Sequence, residues 1–104
     1  MTRYYEDFLI EQLKDPEEAV EYLAACLEEG INVFLLAVRD VAKAQGSLTN
    51  FADEADISRR ALYKILSEEG NPTAEHLVSI IDTLGNALGK KLTLSLKIEG
   101  TEAA

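Results

Sequence analysis

The chain has 104 residues, 47% of them hydrophobic, and a formal net charge of −9. That describes one globular unit with a modest core, and it excludes a disordered polar chain and a strongly basic nucleic-acid-coating protein. No run of about 18 apolar residues exists, so no membrane-spanning helix is expected.

The opening segment MTRYYEDFLIEQL is acidic and amphipathic, unlike a secretory signal. Tyr5, Phe8, Leu9 and Leu13 recur at helical spacing, predicting an inward face on a helix that ends near Lys14. Asp15-Pro16-Glu17-Glu18 opens a second helix, with Asp15 as cap, Pro16 in the first turn and Glu18 closing a capping box. Its expected buried stripe is Val20, Leu23, Ala24 and Leu27, and Gly30 ends it. Cys26 beside that stripe is the only cysteine, so an intramolecular disulfide is impossible and a reducing cytoplasm is the expected setting. With no His, Lys or Arg near it in sequence, it reads as an inert core thiol.

A third helix is expected over Asn32–Gln45, with Phe34, Leu35, Val38, Val41 and Ala42 inward and Arg39 and Lys43 on an outer face open to phosphates or acidic partners. Gly46 ends it. Ser47–Ser67, SLTNFADEADISRRALYKILS, then reads as two short helices joined by a tight turn. Phe51, Ala52, Ala55, Ile57, Leu62 and Ile65 fall where the helices of a helix-turn-helix press together. Ala52 is placed at their closest approach, and Ile57 plugs the gap after the turn. Ser47 and Ser58 are the expected caps of the two helices. Asp56 occupies the turn position, where the backbone tends to need positive φ and glycine is usual. Arg59, Arg60, Tyr63, Lys64 and Ser67 remain outward on the second helix, a cationic and hydrogen-bonding face suited to a DNA groove. Ser47, Thr49 and Asn50 are the expected phosphate contacts, and the cap Ser58 is counted with the DNA-binding residues. The plainer alternative is an ordinary helical hairpin, which shares the apolar spacing but has no need of a segregated basic face.

Charge supports the distinction. Residues 1–30 sum to −7, residues 31–66 to +1 and residues 67–104 to −3, so the basic residues gather where the motif is. After a polar loop at Glu68–Asn71, Pro72-Thr73 restarts a helix with Leu77, Ile80, Ile81 and Leu84 inward, and Gly85 is read as its stop. The period then changes: Leu92, Leu94, Leu96 and Ile98 alternate with polar residues, the pattern of one half-buried strand. A single strand leaves its ladder unpaired, so self-pairing across a two-fold axis or addition to another protein's sheet is expected. The plainer reading is an irregular tail covering the bundle.

No enzyme is expected. The only histidine, His76, stands apart from any Ser or Cys that it could activate, one His and one distant Cys make no metal site, and no glycine-rich phosphate loop or cofactor motif occurs.

The stretches LLAVRDVAKAQG, SLTNFADEADISRRALYKILSEEGNPTAEHLVSIIDTLG and KLTLSL together resemble the Xre/Cro-type helix-turn-helix group. More narrowly they resemble the addiction-module antidote proteins, HigA-like antitoxins, whose acidic helical leader is similar to YYEDFLIEQLKDPEEAVEYLAACLEEG. The resemblance implies a mainly α fold: a lambda-repressor-like bundle of five to six helices with one C-terminal β-strand. Residues 1–30 would be the leader, 31–89 the DNA-binding bundle, and 90–104 the strand and tail. It implies a cytoplasmic dimeric antitoxin that binds its operon's operator and neutralises a RelE-type toxin, with no cofactor. The alternatives are a regulator without a toxin and a protein-interaction module that has lost DNA binding.

Overall fold

The computed structural model describes residues 2–94. Among them the fold is six helices: α1 (Thr2–Gln12), α2 (Pro16–Glu29), α3 (Ile31–Ala44), α4 (Leu48–Ala55), α5 (Arg59–Ile65) and α6 (Ala74–Leu88). None is long and apolar enough to cross a membrane.

α3 is the central element. Phe34, Leu35, Ala37, Val38, Val41 and Ala42 are all buried, an arc of about 160° of this helix. Leu62 and Leu66 from the α5 end, Ile80 and Leu84 from α6, and Leu13 from the end of α1 join the same core at 1% exposure or less. Each such side chain contributes roughly 1.5–3 kcal/mol by leaving water.

α2 lies against α3, but its buried stripe is rotated from the expected one. Ala19 and Leu23 are buried, Val20 is half-buried, and Ala24 and Leu27 are exposed. The rotation turns Tyr22 and Cys26 toward the core, and the Tyr22 hydroxyl there donates to Asp40 Oδ2 on α3 at 3.1 Å. Burial first, then the Glu29 and Asp40 carboxylates, hold the Cys26 thiol above its ordinary pKa, which keeps it un-ionised. Asp15 caps α2 by accepting from the Glu17 amide at 3.0 Å. The capping box does not close. Glu18 instead accepts from Gln12 Nε2, and the Asp15 amide already donates to the Gln12 carbonyl.

In α1, Leu9 and Leu13 pack inward as expected, whereas Tyr5 and Phe8 are 66% and 67% exposed. The inward face therefore belongs to the C-terminal half of the helix. Gln45 closes that end, its Nε2 donating to the carbonyls of Leu13 and Lys14 at 2.9 and 3.3 Å.

Two departures concern the C-terminal end. Gly85 does not stop α6; it is buried inside the helix, which runs on to Leu88 and ends at Gly89 in the left-handed region (φ 68°). Gly85 is needed for close approach instead. A Cβ there would stand 2.6 Å from the Lys90 carbonyl oxygen, and the Lys90 amide donates to the Gly85 carbonyl at 2.9 Å. The chain thus folds back over α6, bringing Leu92 against the core. The strand expected over Leu92, Leu94, Leu96 and Ile98 is not seen: no strand occurs among the described residues, and Leu96 and Ile98 lie outside them. A lone segment with no neighbouring strand in its own chain has no ladder to form.

Candidate nucleic-acid interface

The α4–α5 unit is assembled from local signals. Ser47 has extended backbone, and its Oγ accepts from the Asn50 amide at 3.0 Å, capping α4. α4 ends in a Schellman motif. The Ile57 amide donates to the Ala52 carbonyl at 3.0 Å and the Asp56 amide to the Asp53 carbonyl at 3.2 Å. Asp56 takes φ 60° and ψ 42°, the only non-glycine residue at positive φ among the described residues, as the turn position demands. Ser79 of α6 adds a further bond, its Oγ donating to the Ala55 carbonyl at 2.6 Å, which anchors the end of α4 to the bundle. Ser58 Oγ then accepts from the Ala61 amide at 3.1 Å and opens α5.

Ala52 is fully buried, while Phe51, Ala55, Ile57, Leu62 and Ile65 are each no more than 6% exposed. These are the residues expected between the two helices. With their positions spoken for, helical geometry settles what faces out. At about 100° per residue, Arg59, Tyr63, Arg60 and Lys64 fall within one arc of roughly 140°. All four are exposed. None of the motif's three acids lies on α5: Asp53 is an exposed residue of α4, and Glu54 and Asp56 line a shallow cleft toward α6 together with Glu75 and Asp82. The cationic arc of α5 is thereby left without an acidic residue of its own.

At the start of α4, Asn50 is exposed and Ser47 and Thr49 are half-buried. The first amides of any helix lack intrahelical partners and favour anionic oxygens. Ser47 and Asn50 also line a cleft of about 490 Å³ with Gln45, Gly46, Phe51 and Asn86. Ser67 stands apart from the other expected contacts. α5 ends at Ile65, and the Ser67 hydroxyl donates to the Lys64 carbonyl at 2.7 Å while accepting from the Glu69 amide. It is a turn-former at the helix exit.

Arg39 and Lys43 do not share one environment. Lys43 is exposed, but Arg39 is half-buried, with an enclosed Nε that has no hydrogen-bond partner among the described residues. One positioning residue carried no signal in the sequence: Asn32 Nδ2 donates to the Glu68 carbonyl at 3.2 Å, clasping the loop by which the chain leaves α5. Among the described residues no group of three or more His, Cys, Asp or Glu could hold a metal ion.

An uncharacterized protein of Haemophilus influenzae is 38% identical over 86 residues, which cover 81% of this chain and 88% of that relative. No solved structure matches the chain. A family described as "Probable addiction module antidote protein" matches residues 5–92, nearly all of the described fold. The chain therefore belongs to the addiction module antidote family.

Proposed function

We propose that this protein is the DNA-binding antitoxin of a toxin–antitoxin operon: it represses the operon by binding operator DNA as a two-fold dimer and neutralises a RelE-type toxin. The observation that carries the DNA half is the segregated arc of Arg59, Arg60, Tyr63 and Lys64 on a capped helix, reached through a left-handed turn at Asp56. A major groove admits such a helix, and arginine pairs with guanine through two hydrogen bonds. The Ser47, Thr49 and Asn50 end of α4, with Ser58, supplies contacts to phosphate, which position the protein without reading sequence. Ser67 contributes by holding the exit of α5. Dimerisation through Leu92, Leu94, Leu96 and Ile98 sets two recognition helices about one helical turn of DNA apart, roughly 34–36 Å, or a multiple of it.

The toxin half rests on membership of the antidote family. Charge is consistent with it, since a toxin that handles RNA presents a basic surface and residues 1–30 carry −7. The test is gel-shift titration of the DNA upstream of the gene. Replacing whichever arginine reads a base is expected to cost about 1–3 kcal/mol and relax specificity at one base pair. If Arg59→Ala/Arg60→Ala binds that DNA as wild type does, α5 is not the reading helix.

A further inference from the structure

The rotation of α2 leaves an apolar groove open. Val20, Ala24 and Leu27 form one wall, Ile81 and Leu84 of α6 lie in it, and Leu92 and Leu94 close the far side, enclosing about 140 Å³. Leu27 is 37% and Leu94 54% exposed, so the rim is apolar as well. Helical geometry sets Glu17, Glu21 and Glu28 in a second row beside Val20, Ala24 and Leu27. All three are exposed, giving the groove an acidic outer edge.

The chain itself contains a segment whose chemistry matches this groove. From Lys90 it reads KKLTLSLKIE, with leucine or isoleucine at alternate positions and Lys90, Lys91 and Lys97 against one acid, Glu99. Leu92 and Leu94 are already in the groove wall, and two further apolar residues of the same alternation, Leu96 and Ile98, follow. An antiparallel neighbour brings the later residues of one strand beside the earlier residues of the other. Only a register centred on Ser95 sets Leu92 opposite Ile98, Leu94 opposite Leu96 and Lys91 opposite Glu99, so that every cross-strand pair is apolar with apolar or opposite in charge apart from the Thr93–Lys97 and Ser95 positions.

We propose that the groove between α2 and α6 is the seat for the C-terminal segment of a second copy of this chain, whose Leu96 and Ile98 enter it when the two segments pair antiparallel about Ser95. α2 of the acidic leader is then a dimerisation element. This rests on the proposed two-fold dimer and deepens it.

Three cysteine variants in a Cys26→Ser background test the register under mild oxidation by oxidised glutathione. Ser95→Cys faces its own copy at about 4.5–5.5 Å between Cβ atoms, near enough for a disulfide. Thr93→Cys stands some four residues, about 13 Å, from its copy. Ser95→Cys is expected to cross-link rapidly, Thr93→Cys and Lys97→Cys not alone, and an equal mixture of the last two to cross-link as heterodimers. Ala24→Lys tests the seat, because Ala24 is exposed and its replacement leaves the core intact. It is expected to raise the dimer dissociation constant at least tenfold in analytical ultracentrifugation, with an unchanged far-UV spectrum. A monomeric wild-type protein, equal cross-linking by all three cysteines, or an Ala24→Lys dimer as tight as wild type would each overturn the proposal. A protein that binds operator DNA as a dimer without cross-linking through Ser95→Cys overturns this seat while leaving the DNA reading in place.

Discussion

The Tyr22 hydroxyl and Asp40 Oδ2, 3.1 Å apart, form a hydrogen bond between half-buried side chains of α2 and α3. Burial raises the Asp40 pKa above its ordinary 3.8, and the bond from Tyr22, with Arg39 and Lys43, pulls the other way. A carboxyl whose folded pKa is raised binds its proton more tightly folded than unfolded. It therefore subtracts stability as pH rises from the ordinary value through the folded one, and subtracts nothing below both. Asp40→Asn keeps an acceptor for Tyr22 and removes the charge. Its melting temperature relative to wild type is expected to climb between acid and neutral pH, by a few degrees at most since water screens the half-exposed group. Tyr22→Phe should lose about 1 kcal/mol and raise the Asp40 pKa further, as followed by NMR titration of its carboxyl carbon.

Ala52 has no exposed surface between α4 and α5. Ala52→Leu is expected to wedge the two helices apart at a cost of roughly 1–3 kcal/mol, read as a lower denaturation midpoint at unchanged m-value. If α5 reads DNA as proposed, affinity for the DNA upstream of the gene should fall with it, because the turn into α5 is bonded to the Ala52 carbonyl through the Ile57 amide.

At Asp56 the backbone is left-handed, which costs an L-residue roughly 1–2 kcal/mol, somewhat less for aspartate. Asp56→Gly is expected to be neutral or stabilising by less than about 1 kcal/mol, and Asp56→Val to be destabilising. A clear drop in melting temperature for Asp56→Gly would show that the aspartate side chain itself holds the turn.

Gly85→Ala sets propensity against sterics. In an open helix the change gains up to about 1 kcal/mol. Here the new methyl meets a backbone oxygen at 2.6 Å, an atom that moves only if the 90–94 segment lifts away. Net destabilisation is expected, together with loss of the Lys90 amide's protection from hydrogen exchange.

The motif was legible because each of its parts has a local cause. Ser47 and Ser58 cap, Ala52 is small, and Asp56 tolerates positive φ; all of these can be read within a few residues of chain. The structure departs from the sequence reading where a distant element decides. Gly85 reads as a stop by the same rule that correctly places Gly30 and Gly46 at helix ends, and only the return of the chain over α6 shows its purpose. The stripe on α2 lies about one residue from where periodicity puts it, on the side where Tyr22 meets Asp40, eighteen positions on. Tyr5 and Phe8 keep helical spacing with Leu9 and Leu13, but periodicity does not tell how far along a helix its support extends.

Gln45 serves two helix ends at once. Its backbone amide closes α3 on Val41, its side-chain amide closes α1 on Leu13 and Lys14, and it stands two positions before the Ser47 cap of α4. Two termini that share one residue do not fray independently. The ends of α1 and α3 are thus links of one cooperative unit: whatever grips or releases α1 is felt, through a single glutamine, two residues before the chain enters the Ser47 cap of α4.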